Sequence, residues 1–183
     1  VYHLSQQVET VQKLDSNEWL VKTSTDKNIQ AKCIVIAAGA GSFVPRKLPI
    51  KDVEYLEDKN ILYAVRNKSI LKDKKLLIIG GGDSALDWTI ELSKDSNVTL
   101  MHRRKEFKAS PDSVSKMLEL EKDHKVNFFL GQIQSIEDLN NGKIRVVTTN
   151  DDDQKSFDVD YLLPFFGLKM ELGPIAGWGL NLN

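Results

Sequence analysis

The chain has 183 residues and a formal net charge of −1, with acidic and basic side chains in near balance, so neither nucleic acid nor an anionic membrane surface is an expected partner. No apolar run approaches the roughly 20 residues needed to span a bilayer and no signal-peptide pattern opens the chain, so a soluble cytoplasmic protein is expected. Cys33 is the single cysteine, which excludes an internal disulfide, a Cys-x-x-Cys redox pair and a multi-thiolate metal site.

Three short runs, "QQVETVQKL", "EWLVKTS" and "KNIQAK", are separated by the turn-forming "DSN" and "STDKN" and predict a small antiparallel meander. "CIVIAAGAG" then gives a continuous apolar run stopped by glycines. That is the pattern of a strand buried on both faces of a layered α/β structure, and Cys33 within it is expected to be a buried, inert thiol. Two prolines in "SFVPRKLPI" break the pattern, so a linker or domain boundary is expected near Pro45 to Pro49.

The next ordered stretch is "KKLLIIGGGDSALDWTIELSKDSNVTLMHRR". It holds a strand, a glycine turn, a helix and a second strand in about thirty residues, the dimension of one βαβ unit with a right-handed crossover. Leu76 to Ile79 are apolar without alternation, as in a central parallel strand, and Asp83 to Ser93 place Ala85, Leu86, Thr89, Ile90 and Leu92 at helical spacing. Ser110 is a candidate N-cap with Pro111 in the first helical position of a second helix that carries Val114, Met117 and Leu118. "KVNFFL" predicts a third strand. "GQIQSIEDL", "GKIRVVTTN" and "QKSFDVD" alternate around turns and predict another meander, and "YLLPFFG" a last apolar strand. Asp151 to Asp153 read as a polar hairpin tip rather than a metal site, because no further carboxylates stand at ligand spacing.

Gly80, Gly82 and Ala85 form G-x-G-x-x-A, the variant dinucleotide fingerprint. The first glycine allows a tight exit from the strand, the second lets a pyrophosphate approach the backbone, and the small third residue lets the helix pack close. Free N–H groups and the dipole at the helix start favour phosphate. The expected turn therefore comprises Gly80, Gly81, Gly82, Asp83, Ser84 and Ala85. About twenty residues beyond the fingerprint, where an NAD enzyme places a carboxylate on the adenosine ribose, this chain has His102, Arg103 and Arg104. A carboxylate repels a ribose 2′-phosphate, whereas a guanidinium pairs with it through charge-assisted hydrogen bonds. At roughly 1.5 to 3 kcal/mol for each such bond, two arginines would favour NADPH over NADH by about two to four orders of magnitude. Lys108 is expected to assist as a point charge, and His102 to pack or to stack on adenine. The competing reading of this basic strand end is a merely solvated surface.

"IIGGGDSALDW", "HRRKEFK", "AAGAGSFVPRKLP" and "LGPIAGWGL" together resemble the ferredoxin/flavodoxin NADP reductases of the thioredoxin reductase-like type, and the resemblance covers nearly the whole chain. It implies a flavoprotein in which an NADPH domain is inserted into an FAD domain. Thioredoxin reductase itself carries a Cys-x-x-Cys just before the NADPH glycine strand, whereas this region reads "NILYAVRNKSILKDKK", so the resemblance favours a one-electron protein acceptor, ferredoxin or flavodoxin, over thioredoxin. The flavin fingerprint that opens such proteins and the Gly-Asp flavin motif that closes them are not found here. The chain is therefore read as a piece with a Rossmann-like NADPH-binding domain at 48–164, containing a central parallel sheet and a β-meander. Partial FAD-domain segments flank it, a meander and buried strand at 1–47 and a return segment at 165–183.

By the same resemblance Val8 and Phe43 lie where the complete flavoprotein contacts FAD, with Ala38 and Gly39 close by, and the complete protein is expected to be a homodimer. The cofactors carry the chemistry, so no acid, base, nucleophile or metal is expected. The chain by itself is expected to bind NADPH without turning it over. The alternative, from a different class, is a non-catalytic NADP-binding module that lacks the redox dithiol.

Overall fold

The computed structural model describes residues 1–39, 41–150 and 153–181, and the chain divides into two units, Val1–Val44 with Leu168–Asn183, and Pro45–Gly167. The first unit opens with β1 (Val8–Lys13), β2 (Trp19–Thr23) and β3 (Asn28–Ala31). They form the expected antiparallel meander in the order β1-β2-β3. The apolar run that follows is not a strand. Residues 33–38 carry no regular structure, Cys33 is exposed, and Val35 is 85% exposed. A parallel strand is held by ladders on its edges and by cover on its faces, and none of the strand pairings among the described residues involves this run. The buried strand and the buried thiol expected there are thus both corrected. The short strand β4 (Ser42–Pro45) closes this stretch.

The second unit holds the predicted βαβ arrangement, with β5 (Lys75–Ile79), α1 (Asp83–Leu92) and β6 (Asn97–His102). Parallel register sets Leu76 beside Val98 and Ile78 beside Leu100. The second helix, α2 (Pro111–Lys122), starts where its cap directs: the Ser110 side chain accepts a hydrogen bond from the Ser113 N–H, and Pro111 loses no helical bond at that position. The strand β7 (Val126–Leu130) then pairs parallel with β6.

Next come β8 (Gln132–Asp138), β9 (Ile144–Asn150) and β10 (Asp153–Val159), which make an antiparallel sheet of their own. Asp151 and Asp152 of the expected hairpin tip lie outside the described residues. Finally β11 (Tyr161–Pro164) returns to pair parallel with β5, so the central sheet reads β11-β5-β6-β7. Alternate residues of β5 serve two cores. Leu76 and Ile78 pack with Ala85, Leu86 and Leu92 of α1, while Leu77 and Ile79 pack with Ile144, Val146 and Val159 of the meander. A strand covered by helices on one face and by a sheet on the other must be apolar at every position, which explains the unbroken run from Leu76 to Ile79. The chain then re-enters the first unit, where β12 (Leu168–Glu171) pairs with β4.

Candidate nucleotide-binding site

In the central sheet the chain proceeds from β5 through β6 to β7 on one side, then returns as β11 on the other side of β5. The direction of progress reverses at β5. In open parallel sheets a ligand crevice lies at such a reversal, outside the carboxyl ends of the strands. Here a cleft of about 620 Å³ occupies that place, and its walls include Gly80, Gly81, Gly82, His102, Arg103, Arg104 and Lys108. The structure thus brings together the glycine turn and the basic strand end inferred from the sequence.

Each glycine of the turn meets a different neighbour. Gly80 has φ +154°, and a methyl group on it would lie 2.6 Å from the Phe165 carbonyl oxygen and 2.8 Å from the Ala85 methyl. Both Gly80 and the small Ala85, which is fully buried, are therefore required for the close strand–turn–helix packing. A side chain on Gly81 would collide with the His102 imidazole. Gly82 differs from both. Its Cβ would meet only the Lys108 carbonyl oxygen, at 3.7 Å, and would otherwise project into open space, so the packing of the protein does not require its bareness. Gly82 is also the N-cap of α1 and offers no side-chain cap, which leaves the first N–H groups of the helix for a ligand.

The loop carrying the cations is pinned to this turn. The Lys108 N–H donates to the Gly81 carbonyl at 2.7 Å, and Gly82 and Lys108 form a parallel bridge. The Asp83 carboxylate accepts the Ser110 N–H at 2.7 Å, and Asp87 accepts the Ser113 hydroxyl at 2.8 Å. Among the predicted site residues, Asp83 thus has a carboxylate already committed to the α2 cap, while Ser84 is exposed at the helix start. The His102 ring lies over Gly81 and stacks on Phe107, with centroids 5.6 Å apart. Burial, reinforced by Arg103 and Arg104 and opposed by Glu106, holds its pKa below the ordinary histidine range. His102 is therefore a packed, neutral wall near neutral pH. Arg103, Arg104 and Lys108 are exposed, and their side chains form no ion pair or hydrogen bond among the described residues. Glu106 is the carboxylate that shares the cleft with them.

The cleft also has walls that sequence reasoning missed: Arg46 and Lys47, the segment Phe165 to Gly167, and Gly131. Arg46 and Lys47 sit in the stretch read as a linker. The available signal was a pair of cations beside a proline break, too common to single out.

In the first unit, Val8 and Ala38 line a separate groove of about 410 Å³ whose other walls include Val11, Val21 and Trp178. Gly39 and Phe43 are not among its lining residues; Gly39 has φ +58° with open space around it, and Phe43 is 62% exposed on β4. Among the described residues, no three His, Cys, Asp or Glu side chains gather as metal ligands, and no helix is long and apolar enough to cross a membrane.

Residues 2–168 match the family model described as pyridine nucleotide-disulphide oxidoreductase. The whole chain aligns with proteins named ferredoxin–NADP reductase, at 49% identity with that of Parvibaculum lavamentivorans and 45% with that of Pelagibacter ubique, covering 54% of each. The chain therefore spans about half the length of these curated relatives. Among solved structures, the thioredoxin reductase of Lactococcus lactis superposes with a TM-score of 0.76 at 24% identity, over 96% of this chain and 57% of that one. The bacillithiol disulfide reductase of Staphylococcus aureus does so with a TM-score of 0.79 at 20% identity, over 97% and 53%. These likenesses establish a Rossmann-like α/β fold.

Proposed function

Because this chain belongs to the pyridine nucleotide-disulphide oxidoreductase family, we propose that it is the NADPH-binding portion of a flavin-dependent ferredoxin/flavodoxin NADP reductase, a cytoplasmic homodimer when complete. The observation that carries this reading is the cleft, in which a bare Gly82 faces open space and which Arg103 and Arg104 line without an ion pair among the described residues. The names of the relatives support the reductase and its acceptor. When bound, NADPH supplies a hydride and FAD accepts it, with single electrons leaving for ferredoxin or flavodoxin.

The residues of the cleft bind and orient. Gly80 and Ala85 set the turn, and Gly82 with the N–H groups of Asp83 and Ser84 receives the pyrophosphate. Arg103 and Arg104 pair with the 2′-phosphate, Lys108 adds a point charge, and the His102 ring packs against the turn at Gly81. The Pro45–Gly167 unit serves as the NADPH domain. The other unit supplies pieces of the FAD domain, with Val8, Ala38, Gly39 and Phe43 as its flavin contacts.

Titration calorimetry of the 183-residue chain with each nucleotide tests the reading. NADPH is expected to bind more tightly than NADH by about two to four orders of magnitude. Equal affinities would refute the phosphate assignment.

A further inference from the structure

Resting on the NADPH reading of the same cleft, we propose that Arg46 contacts the nicotinamide-side phosphate of the dinucleotide and thereby fixes which way the nucleotide lies along the sheet. Moving from Gly80 toward β6 leads to His102, Arg103 and Arg104. Moving the other way, toward β11, leads to Phe165, whose N–H donates to the Ile79 carbonyl at 2.7 Å and whose own carbonyl closes on Gly80. Two residues further on, the Gly167 carbonyl accepts the Arg46 N–H at 3.0 Å. Arg46 is thus anchored by its backbone on the wall opposite the two arginines, with the glycine turn between.

A nucleotide with its 2′-phosphate at Arg103 and Arg104 and the adenosine-side phosphate of its pyrophosphate over Gly82 extends its other half toward this wall. The anionic group of that half is the nicotinamide-side phosphate, because the reduced nicotinamide ring is neutral. Two cations line the wall. Lys47 is already compensated, since its ammonium donates to the Glu57 carboxylate at 2.6 Å, and this contact raises its pKa. The Arg46 side chain is exposed and has no carboxylate partner among the described residues. A guanidinium fork matched to phosphate oxygens is the chemistry such a position offers.

The distinguishing ligand is 2′,5′-ADP, which keeps the adenosine-side phosphates and lacks the nicotinamide half. In calorimetry on the full chain, Arg46→Ala is expected to weaken NADPH and NADH by the same factor, about tenfold or more, and to leave 2′,5′-ADP unchanged. Arg46→Lys is expected to recover part of the loss. A loss for NADPH alone would assign Arg46 to the 2′-phosphate, and an equal loss for 2′,5′-ADP would assign it to the adenosine side; either overturns the proposal. Unchanged binding of all three ligands by Arg46→Ala overturns it as well, with the NADPH reading intact. A parent chain that binds none of the three removes the NADPH reading and this inference together.

Discussion

Two apolar runs that end in glycine, Leu76 to Ile79 before Gly80 and Cys33 to Ala38 before Gly39, meet opposite fates in this molecule. Leu77 and Ile78 are fully buried, whereas Val35 is 85% exposed. The first run hydrogen-bonds to β6 on one edge and β11 on the other and is covered on both faces by α1 and the β8–β10 sheet. No such neighbours flank the second run among the described residues. Apolarity sets what burial would contribute, but the neighbouring strands decide whether burial takes place. The glycines follow suit: Gly80 is locked against Phe165, while Gly39 stands in open space.

Substituting a charge into each run should separate the two most widely. Leu77→Asp leaves an uncompensated charge in the core and is expected to cost about 3 to 5 kcal/mol, while Val35→Asp should change stability by no more than about 0.5 kcal/mol. Urea unfolding followed by circular dichroism measures both, and similar costs would erase the distinction. The glycines of the buried run sharpen it next. Gly82→Val is expected to weaken NADPH and NADH alike by on the order of a hundredfold, about 2.7 kcal/mol, without moving the unfolding midpoint. Gly80→Val should instead lower that midpoint, because Phe165 blocks its side chain. If Gly82→Val binds normally, the turn is only structural.

Arg103→Ala comes third, with a loss of about 1.5 to 3 kcal/mol for NADPH and little for NADH. Equal losses in calorimetry would return the strand end to solvent. Ser110→Ala should cost about 1 kcal/mol of thermal stability through its lost cap, a modest effect that no change in the exposed run should reproduce. The smallest effect concerns His102. Its folded pKa lies below its unfolded one, so the folded state binds fewer protons and the associated stability is present above the ordinary histidine range near 6.5. It is lost as pH falls through that value toward the folded pKa. Urea midpoints at pH 7.5 and 5 should differ less in His102→Gln than in the parent.

The β5–α1–β6 stretch was legible because every local signal agreed there: an unbroken apolar strand, small residues at the turn, helical spacing and a second strand at the proper distance. The Ser110 cap with Pro111 was legible for the same reason. The run from Cys33 was misread because pattern reports only the capacity for burial, not the presence of partners. Arg46 and Phe165 escaped for a different reason. They lie far from the fingerprint in sequence and join its cleft only because β11 returns beside β5, a fact of sheet order that no window of residues contains. Asp83 illustrates a subtler gap, since its place in the fingerprint does not reveal that its carboxylate is engaged by the Ser110 N–H.

The ties between the arginine loop and the glycine turn have a consequence for engineering. Lys108 and Ser110 are held through their backbone N–H groups, so these two ties on the loop do not depend on which side chains stand at positions 103 and 104. Those two positions behave as an exchangeable cartridge mounted on a fixed frame. On the proposed NADPH reading, a carboxylate installed there is expected to shift preference from a phosphorylated to an unphosphorylated ribose while leaving the melting temperature, which reports on the frame, where it was.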